Sequence, residues 1–341
     1  MNRGAIFLLL IFCISTAQAK DVLIDGIYYA LYPDELKATV VNDGNKSDDN
    51  GSGYEISELL IPETIVYEGI TYTVKSIGDY AFCNTKCLKS ITLSDSITKI
   101  GMRAFALCDS LQSIYIPKNV VMVGSYAFEA SYALQTIDVD AENSTYSSIS
   151  NCLCNKEGTE LILAPAGRDS IIVAEGIVAI NSYAFSYCNV QYVELPLSLQ
   201  TIGNYAFQYC NGCTEVYTSA ESAPTLGTSA FTGINNNAIL YYPASSEQSY
   251  EKEGWFDYFP QHNGFNGKCG DNLYWNVDDA KFVAYYWGDT NGDQWSDFND
   301  SDNDGIFETI VPNGSWTGLK WDFLRQSHDH RYVLPLYCLC T

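Results

Sequence analysis

The sequence predicts a solenoid: mainly β with short helical or turn segments, a curved stack of 22–24-residue coils followed by a small partial β module. Three observations lead there. One string recurs, as IGDYAF at 77–82, IGMRAF at 100–105, VGSYAF at 123–128, INSYAF at 180–185, IGNYAF at 202–207 and LGTSAF at 226–231, at intervals of 23, 23, 57, 22 and 24 residues. Nine residues after most of these phenylalanines falls a second apolar beat: LKSITL at 88–93, LQSIYI at 111–116, LQTIDV at 134–139 and, one residue early, VQYVEL at 190–195. Its end alternates apolar and polar, as a half-buried strand does. The second position of the string holds Gly78, Gly101, Gly124, Gly203 or Gly227, and in one copy Asn181.

Taken in order, residues 1–19 read as a secretory signal, with Arg3, an apolar run over 5–14 and the small-x-small site Ala17-Gln18-Ala19. That run is too short to cross a hydrocarbon core of about 30 Å. The expectation is export to the medium or the outer cell surface, with no transmembrane segment after cleavage. The chain carries a formal charge of −23, and losing Arg3 makes it more acidic still. Such a surface repels phosphate backbones and excludes nucleic acid as a partner.

Residues 20–76 read as an N-terminal cap with the first strands and a β-hairpin, and 77–262 as the repeats. Gly and Asn tolerate positive φ, so the Gly position predicts a corner where the chain turns. The flanking Ile and Phe then point inward, the small Ala admits the next coil, and the Phe rings form one interior column. Cys108, Cys188 and Cys210 follow the repeat Phe by three residues, where other copies have Thr85 and Ser131. A small, weakly hydrogen-bonding group in a buried turn accounts for all five. A disulfide among these cysteines is the alternative. Within the 57-residue interval, 160–163 and 170–173 read as strands preceded by a hairpin, a coil without its own string, with the insertion near 140–170. A short helix is expected near 246–254. From 263 to 341 the pattern stops, and strands at 273–277 and 281–287 are expected to pair in a partial β module with an acidic loop.

The 20–29-residue period with L-x-x-I-x-I matches the leucine-rich-repeat class. More narrowly, DGIYYAL, IPETIVYEGITYTVKSIGDYAF, NSTYSSISNCLCNKEGTELILAPAG and ILYYPASSEQSYEKEGWFDYF resemble the BspA-like leucine-rich-repeat family of bacterial surface proteins, over about residues 21–262. The resemblance implies adhesion to host extracellular proteins, co-aggregation or immune recognition. It carries over no catalytic residues.

Between the inward beats of each strand one side chain faces out: Thr92, Tyr115, Asp138, Ile172, Glu194, Tyr217 and Tyr241, flanked by Gln112, Gln135, Gln191, Tyr192 and Glu215. Stacked about 5 Å apart they would make one continuous surface. Tyrosine suits binding, being broad, amphipathic and low in side-chain entropy, and Tyr115, Tyr192 and Tyr217 with Glu194 are the expected contact patch for an extracellular protein or glycan. Tyr80, Tyr126, Tyr183 and Tyr205, inside the repeated string, are expected on the convex or edge side. In the tail, Asp289, Asn291, Asp293, Asp297 and Asp300 have the spacing of a calcium loop within 289–304, but Gln294 replaces the turn Gly and Asp300 the bidentate Glu. Apart from that ion no cofactor is expected. With three His, none within a copy of the repeated string, and no G-x-S-x-G, H-E-x-x-H or phosphate loop, the reading is a binding protein rather than an enzyme. A structural spacer in a surface assembly is the alternative, and a carbohydrate-active enzyme a more distant one.

Overall fold

The computed structural model describes residues 19–42 and 53–265, and beyond them the strands Asn272–Asn276, Lys281–Trp287, Gln294–Asp297, Ile306–Ile310, Gly318–Leu324 and Val333–Leu334. The chain divides into two units, Met1–Gly264 and Phe265–Thr341.

In the first unit each coil has three sides. One is a three- to five-residue strand, from the L-x-x-I-x-I beat. In Ser90–Leu93 and Ser113–Ile116 the second and fourth residues are buried and the first and third exposed, as the alternation requires. The second side is a two-residue strand ending at the apolar residue before the repeat glycine position: Lys99–Ile100, Met122–Val123, Ala179–Ile180, Thr201–Ile202 and Thr225–Leu226. The third is the turn carrying the Ala-Phe pair. Before the first full coil, Lys20–Ile24, Ile27–Tyr32 and Lys37–Val41 form an antiparallel meander, and Lys37–Val41 then pairs in parallel with Ile70–Ile77. A paired strand thus covers the first coil edge instead of leaving it open.

The repeat glycines do not turn the chain through positive φ, which corrects the expectation from sequence. None of Gly78, Gly101, Gly124, Gly203 and Gly227 has φ in the left-handed region. They are glycines because the backbone of the preceding coil passes too close for a Cβ. A Cβ at Gly101, Gly124 or Gly227 would lie 2.5, 2.5 or 2.6 Å from the amide nitrogens of Asp79, Met102 and Asn204. The left-handed residues come two positions later and four beyond that: Tyr80, Arg103, Tyr126, Tyr183 and Tyr205, then Asn84, Leu107, Ala130, Tyr187 and Tyr209. A non-glycine residue there costs on the order of 1–2 kcal/mol, and inter-coil bonds offset it. Tyr80, Phe82 and Asn84 donate their N–H groups to the carbonyls of Met102, Ala104 and Ala106 at 2.8–2.9 Å, and the later coils repeat this.

The phenylalanines stack in two columns, not in the single column expected. Phe82–Phe105 and Phe105–Phe128 have centroids 5.4 and 5.8 Å apart, Phe185–Phe207 and Phe207–Phe231 4.4 and 4.8 Å, all nearly parallel. Between Phe128 and Phe185 the intervening coil has no Phe. Ala164 takes that place, donating its N–H to Ala184 O at 2.8 Å as Phe82 does to Ala104 O. The antiparallel hairpin Tyr146–Ile149/Cys152–Asn155, turned by left-handed Ser150 and Asn151, fills the gap. Leu153 joins the N-terminal core, and Cys152 and Cys154 the C-terminal one.

The residue three after the Phe binds back to the coil before it. Ser131 Oγ donates to Phe105 O at 2.7 Å, Cys108 Sγ to Phe82 O at 3.2 Å, and Cys210 Sγ to Phe185 O at 2.9 Å. These cysteines are free thiols. Burial pushes Cys188 and Cys213 up to about 12 and Cys154 to about 11.

The solenoid closes on the helix Glu247–Lys252, ended by left-handed Gly254, and the turn Trp255–Asp257. Trp255 and Phe259 are buried against Phe231, Tyr250 is buried against Trp255, and Trp255 Nε1 donates to Pro224 O at 2.9 Å.

In the second unit Asn272–Asn276 pairs antiparallel with Ile306–Ile310, and Lys281–Trp287 lies between Gln294–Asp297 and Gly318–Leu324. The two leading strands do not pair with each other as expected from sequence, because both edges of the seven-residue strand are taken by later strands.

Candidate binding face

The long strands of the C-terminal coils form one five-stranded sheet: Ser170–Ile172, Tyr192–Leu195, Glu215–Thr218, Ile239–Pro243 and Gln261–Phe265. Parallel pairing puts Ile172, Glu194, Tyr217 and Tyr241 in one row and Ser170, Tyr192, Glu215 and Ile239 in the next. Ile171, Val193, Val216 and Leu240 occupy the inward positions, fully buried. That anchoring fixes the register, since a one-residue slip would drive the apolar row outward.

On the outer side the side chains meet each other. Tyr217 and Tyr241 rings stack at 4.2 Å and 12°, and Tyr192 tilts onto Tyr217 at 5.4 Å. Tyr192 OH donates to Glu194 Oε2 at 3.0 Å. Burial pushes the Tyr192 and Tyr217 phenols well above the ordinary tyrosine value. It also raises the Glu194 carboxyl, against the Tyr192 bond that lowers it, with the Glu175 charge adding to the rise. No Lys, Arg or His occurs between Arg168 and Lys252, a stretch holding Asp169, Glu175, Glu194, Glu215, Glu221, Glu247 and Glu251.

The remaining outward residues lie elsewhere. Thr92 pairs with Leu60 in a two-stranded section, Glu58–Ile61 with Ser90–Leu93. Tyr115 pairs with Asp138 in another, Ser113–Ile116 with Thr136–Val139. The expected continuous surface is therefore three sections, and Tyr115 does not share a sheet with Tyr192 and Tyr217. The reason is the hairpin, which bonds to the free edge of Thr136–Val139: Ile137 N–H donates to Asn151 O at 3.0 Å and Ser148 Oγ to Ile137 O at 2.7 Å. Tyr115 instead donates to Asp140 Oδ2 at 2.9 Å, which raises the phenol; Asp140 is lowered, first by the Glu142 backbone N–H and then by this bond. Lys118 neutralises that neighbourhood, 3.3 Å from Asp95 and 3.7 Å from Glu142.

Tyr183 and Tyr205 stack on the turn side at 5.5 Å, and Tyr126 meets Tyr183 at 4.5 Å. Sequence reasoning missed the ion pair beside them, Arg103 Nε to Glu129 Oε2 at 2.7 Å with Glu129 almost fully buried. A signal existed. Arg103 stands where four other copies have Tyr and one has Ser229, and Glu129 follows the Phe where the others have uncharged Cys83, Ala106, Ser186, Gln208 or Thr232. Paired departures in adjacent copies mark a contact between them. Of the expected calcium donors, Asp297 ends the strand Gln294–Asp297, and Asp289, Asn291, Asp293 and Asp300 lie outside the described residues. Residues 1–18 of the signal segment also lie outside them. Among the described residues no helix is long and apolar enough to cross a membrane.

A family model described as BspA type leucine rich repeat region matches six copies, over residues 65–162 and 167–254, more than half of the chain. A comparison with curated proteins found no match. Among solved structures, a leucine-rich repeat protein from Eubacterium ventriosum is 18% identical with a TM-score of 0.39, covering 66% of this chain and 73% of that one. The pneumococcal vaccine antigen PcpA is 15% identical with a TM-score of 0.36, covering 74% and 99%. A leucine-rich repeat protein from Bacteroides ovatus is 20% identical with a TM-score of 0.32, covering 65% and 71%.

Proposed function

The chain belongs to the BspA-type leucine-rich-repeat family, and from that premise we propose that it is a secreted or surface-displayed binding protein, not an enzyme, that takes an extracellular protein or glycan on the outer side of its strand face. The observation that carries this reading is the Tyr192–Tyr217–Tyr241 contact row beside Glu194, on strands whose register is locked from inside. Tyrosines already in contact lose little further freedom when a partner arrives, so less of the interaction energy goes into ordering. The three rings and Glu194 are half-buried, so each keeps an accessible part for a partner to contact.

The test immobilises the full chain against a panel of extracellular matrix proteins and glycans, with and without calcium. Tyr192→Ala/Tyr217→Ala/Tyr241→Ala should abolish retention of the captured partner and leave the circular dichroism spectrum unchanged; undiminished retention would discard the face. Calcium is included because the 289–304 sequence carries the donor spacing. A calcium affinity unaltered by Asp289→Ala/Asp293→Ala would remove that loop from the account.

A further inference from the structure

Resting on that reading, we infer that the partner presents an extended cationic segment, with Lys or Arg at alternate positions, to Glu194, Glu215 and the tyrosine hydroxyls between them. The ring geometry argues first. Tyr217 lies between Tyr241 at 4.2 Å and the tilted Tyr192 at 5.4 Å, so the middle ring of the row has a neighbour on each side. A sugar ring or a base needs a free aromatic face to stack on. Beside the rings stand phenol oxygens and the carboxylates of Glu194 and Glu215, on neighbouring positions of the same strands. Those groups accept hydrogen bonds, and ammonium and guanidinium groups have only donors to offer.

Charge argues second. Among the described residues Glu194 accepts one hydrogen bond, from Tyr192, and neither Glu194 nor Glu215 has an ion-pair partner. Some acids elsewhere have a cation of the chain's own, as Asp95 and Glu142 have Lys118 and Glu129 has Arg103. Between Arg168 and Lys252 it has none to use. The half-buried Glu194 is held against its own desolvation, and a cation arriving from outside relieves that directly.

Spacing argues third. Glu194 pairs with Tyr217, and Tyr192 with Glu215, so the two acids sit on a diagonal of adjacent strands. With strands about 4.8 Å apart and residues i and i+2 about 6.6 Å apart along a strand, such a diagonal spans roughly 8 Å. Residues i and i+2 of an extended peptide project on the same side about 6.6–6.8 Å apart. One basic side chain per acid follows.

The experiment measures fluorescence anisotropy of a labelled (Arg-Ser)4 peptide on titration with the full chain, at low and at high salt, beside (Gln-Ser)4 and maltohexaose. The cationic peptide should bind, weaken steeply with salt, and lose about tenfold or more in affinity to Glu194→Gln/Glu215→Gln. The comparison variant is Glu247→Gln/Glu251→Gln, on exposed helix positions away from the strand face, which removes the same charge and should change affinity by less than about twofold. Equal losses in the two variants would mean diffuse attraction by an acidic chain and would overturn the inference. So would equal binding of (Gln-Ser)4, or maltohexaose competing with the peptide. If the tyrosine triple variant still loses a captured partner while (Arg-Ser)4 fails to bind, the binding face stands and the cationic partner does not. If both survive that variant, both fall.

Discussion

Replacing Gly101 by alanine tests why this chain repeats glycine. A Cβ there would lie 2.5 Å from the Asp79 nitrogen, from Asp79 Oδ1 and from the Gly78 carbonyl carbon. The coils must separate locally by about 1 Å to restore ordinary contact. Three hydrogen bonds cross that seam: Gly101 N–H to Ile77 O at 2.8 Å, Met102 N–H to Asp79 Oδ1 at 2.9 Å and Tyr80 N–H to Met102 O at 2.9 Å. At about 1 kcal/mol each they place about 3 kcal/mol at risk. Strain from overfilling adds about 1–3 kcal/mol, and the stiffer unfolded chain returns up to about 1 kcal/mol. The net expectation is a loss of about 3 kcal/mol, within roughly 2–5 kcal/mol. Urea unfolding of the full chain, followed by circular dichroism and tryptophan fluorescence together, reads it and also detects loss of two-state behaviour. Two further glycines separate steric from conformational causes. Gly176 has φ 95 with nothing within 4 Å of a Cβ, so alanine should cost about 1–2 kcal/mol. Gly212 has ordinary φ and a nearest contact of 3.4 Å, so alanine should be neutral to slightly stabilising. If Gly176→Ala proves the most damaging, or Gly101→Ala no worse than Gly212→Ala, the close-approach explanation is wrong.

Phe207→Ala empties a site between Phe185 and Phe231 and should lower stability by about 3–5 kcal/mol in the same urea assay. Ser131→Ala removes the bond to Phe105 O and leaves the Cys108 N–H, which Ser131 Oγ accepts at 3.1 Å, without a partner; a loss of about 1–3 kcal/mol is expected, with Ser131→Cys recovering part of it. Peptide-level mass spectrometry after brief alkylation should find exposed Cys87 modified and Cys188 and Cys213 untouched until the chain unfolds, because burial holds those thiols protonated at about 12. Glu194→Gln should raise the unfolding midpoint at pH 7.5. The folded-state carboxyl titrates above its ordinary 4.5, so its charged form carries a penalty at neutral pH that lifts as pH falls through that raised value. At pH 3.5 the variant and the parent chain should unfold alike.

The coil architecture was legible because its signals are local and repeated. Each Ile-Gly-x-x-Ala-Phe string and each L-x-x-I-x-I beat states which side chains turn inward, and six copies make the period unmistakable. The bonding role of Cys108, Cys210 and Ser131 was legible for the same reason, since one alignment column holds interchangeable small donors. The glycine was read for the wrong property. Its positive-φ tolerance is a fact about one residue, whereas the constraint at Gly101 and Gly124 is the backbone of another coil about 23 residues earlier.

The outward face shows the division most plainly. The amino-acid order alone determined that Tyr192, Glu194, Tyr217 and Tyr241 project from strands, because strand alternation is set by neighbours one and two residues away. Which of them meet was decided only by stacking. The hairpin 146–155 takes the free edge of Thr136–Val139, the strand whose Asp138 pairs with Tyr115. Tyr115 therefore goes to Asp140, while Tyr192, Tyr217 and Tyr241 close into one row. Inter-coil adjacency depends on which edge an insertion occupies, and that is a property of the packed chain rather than of any window along it.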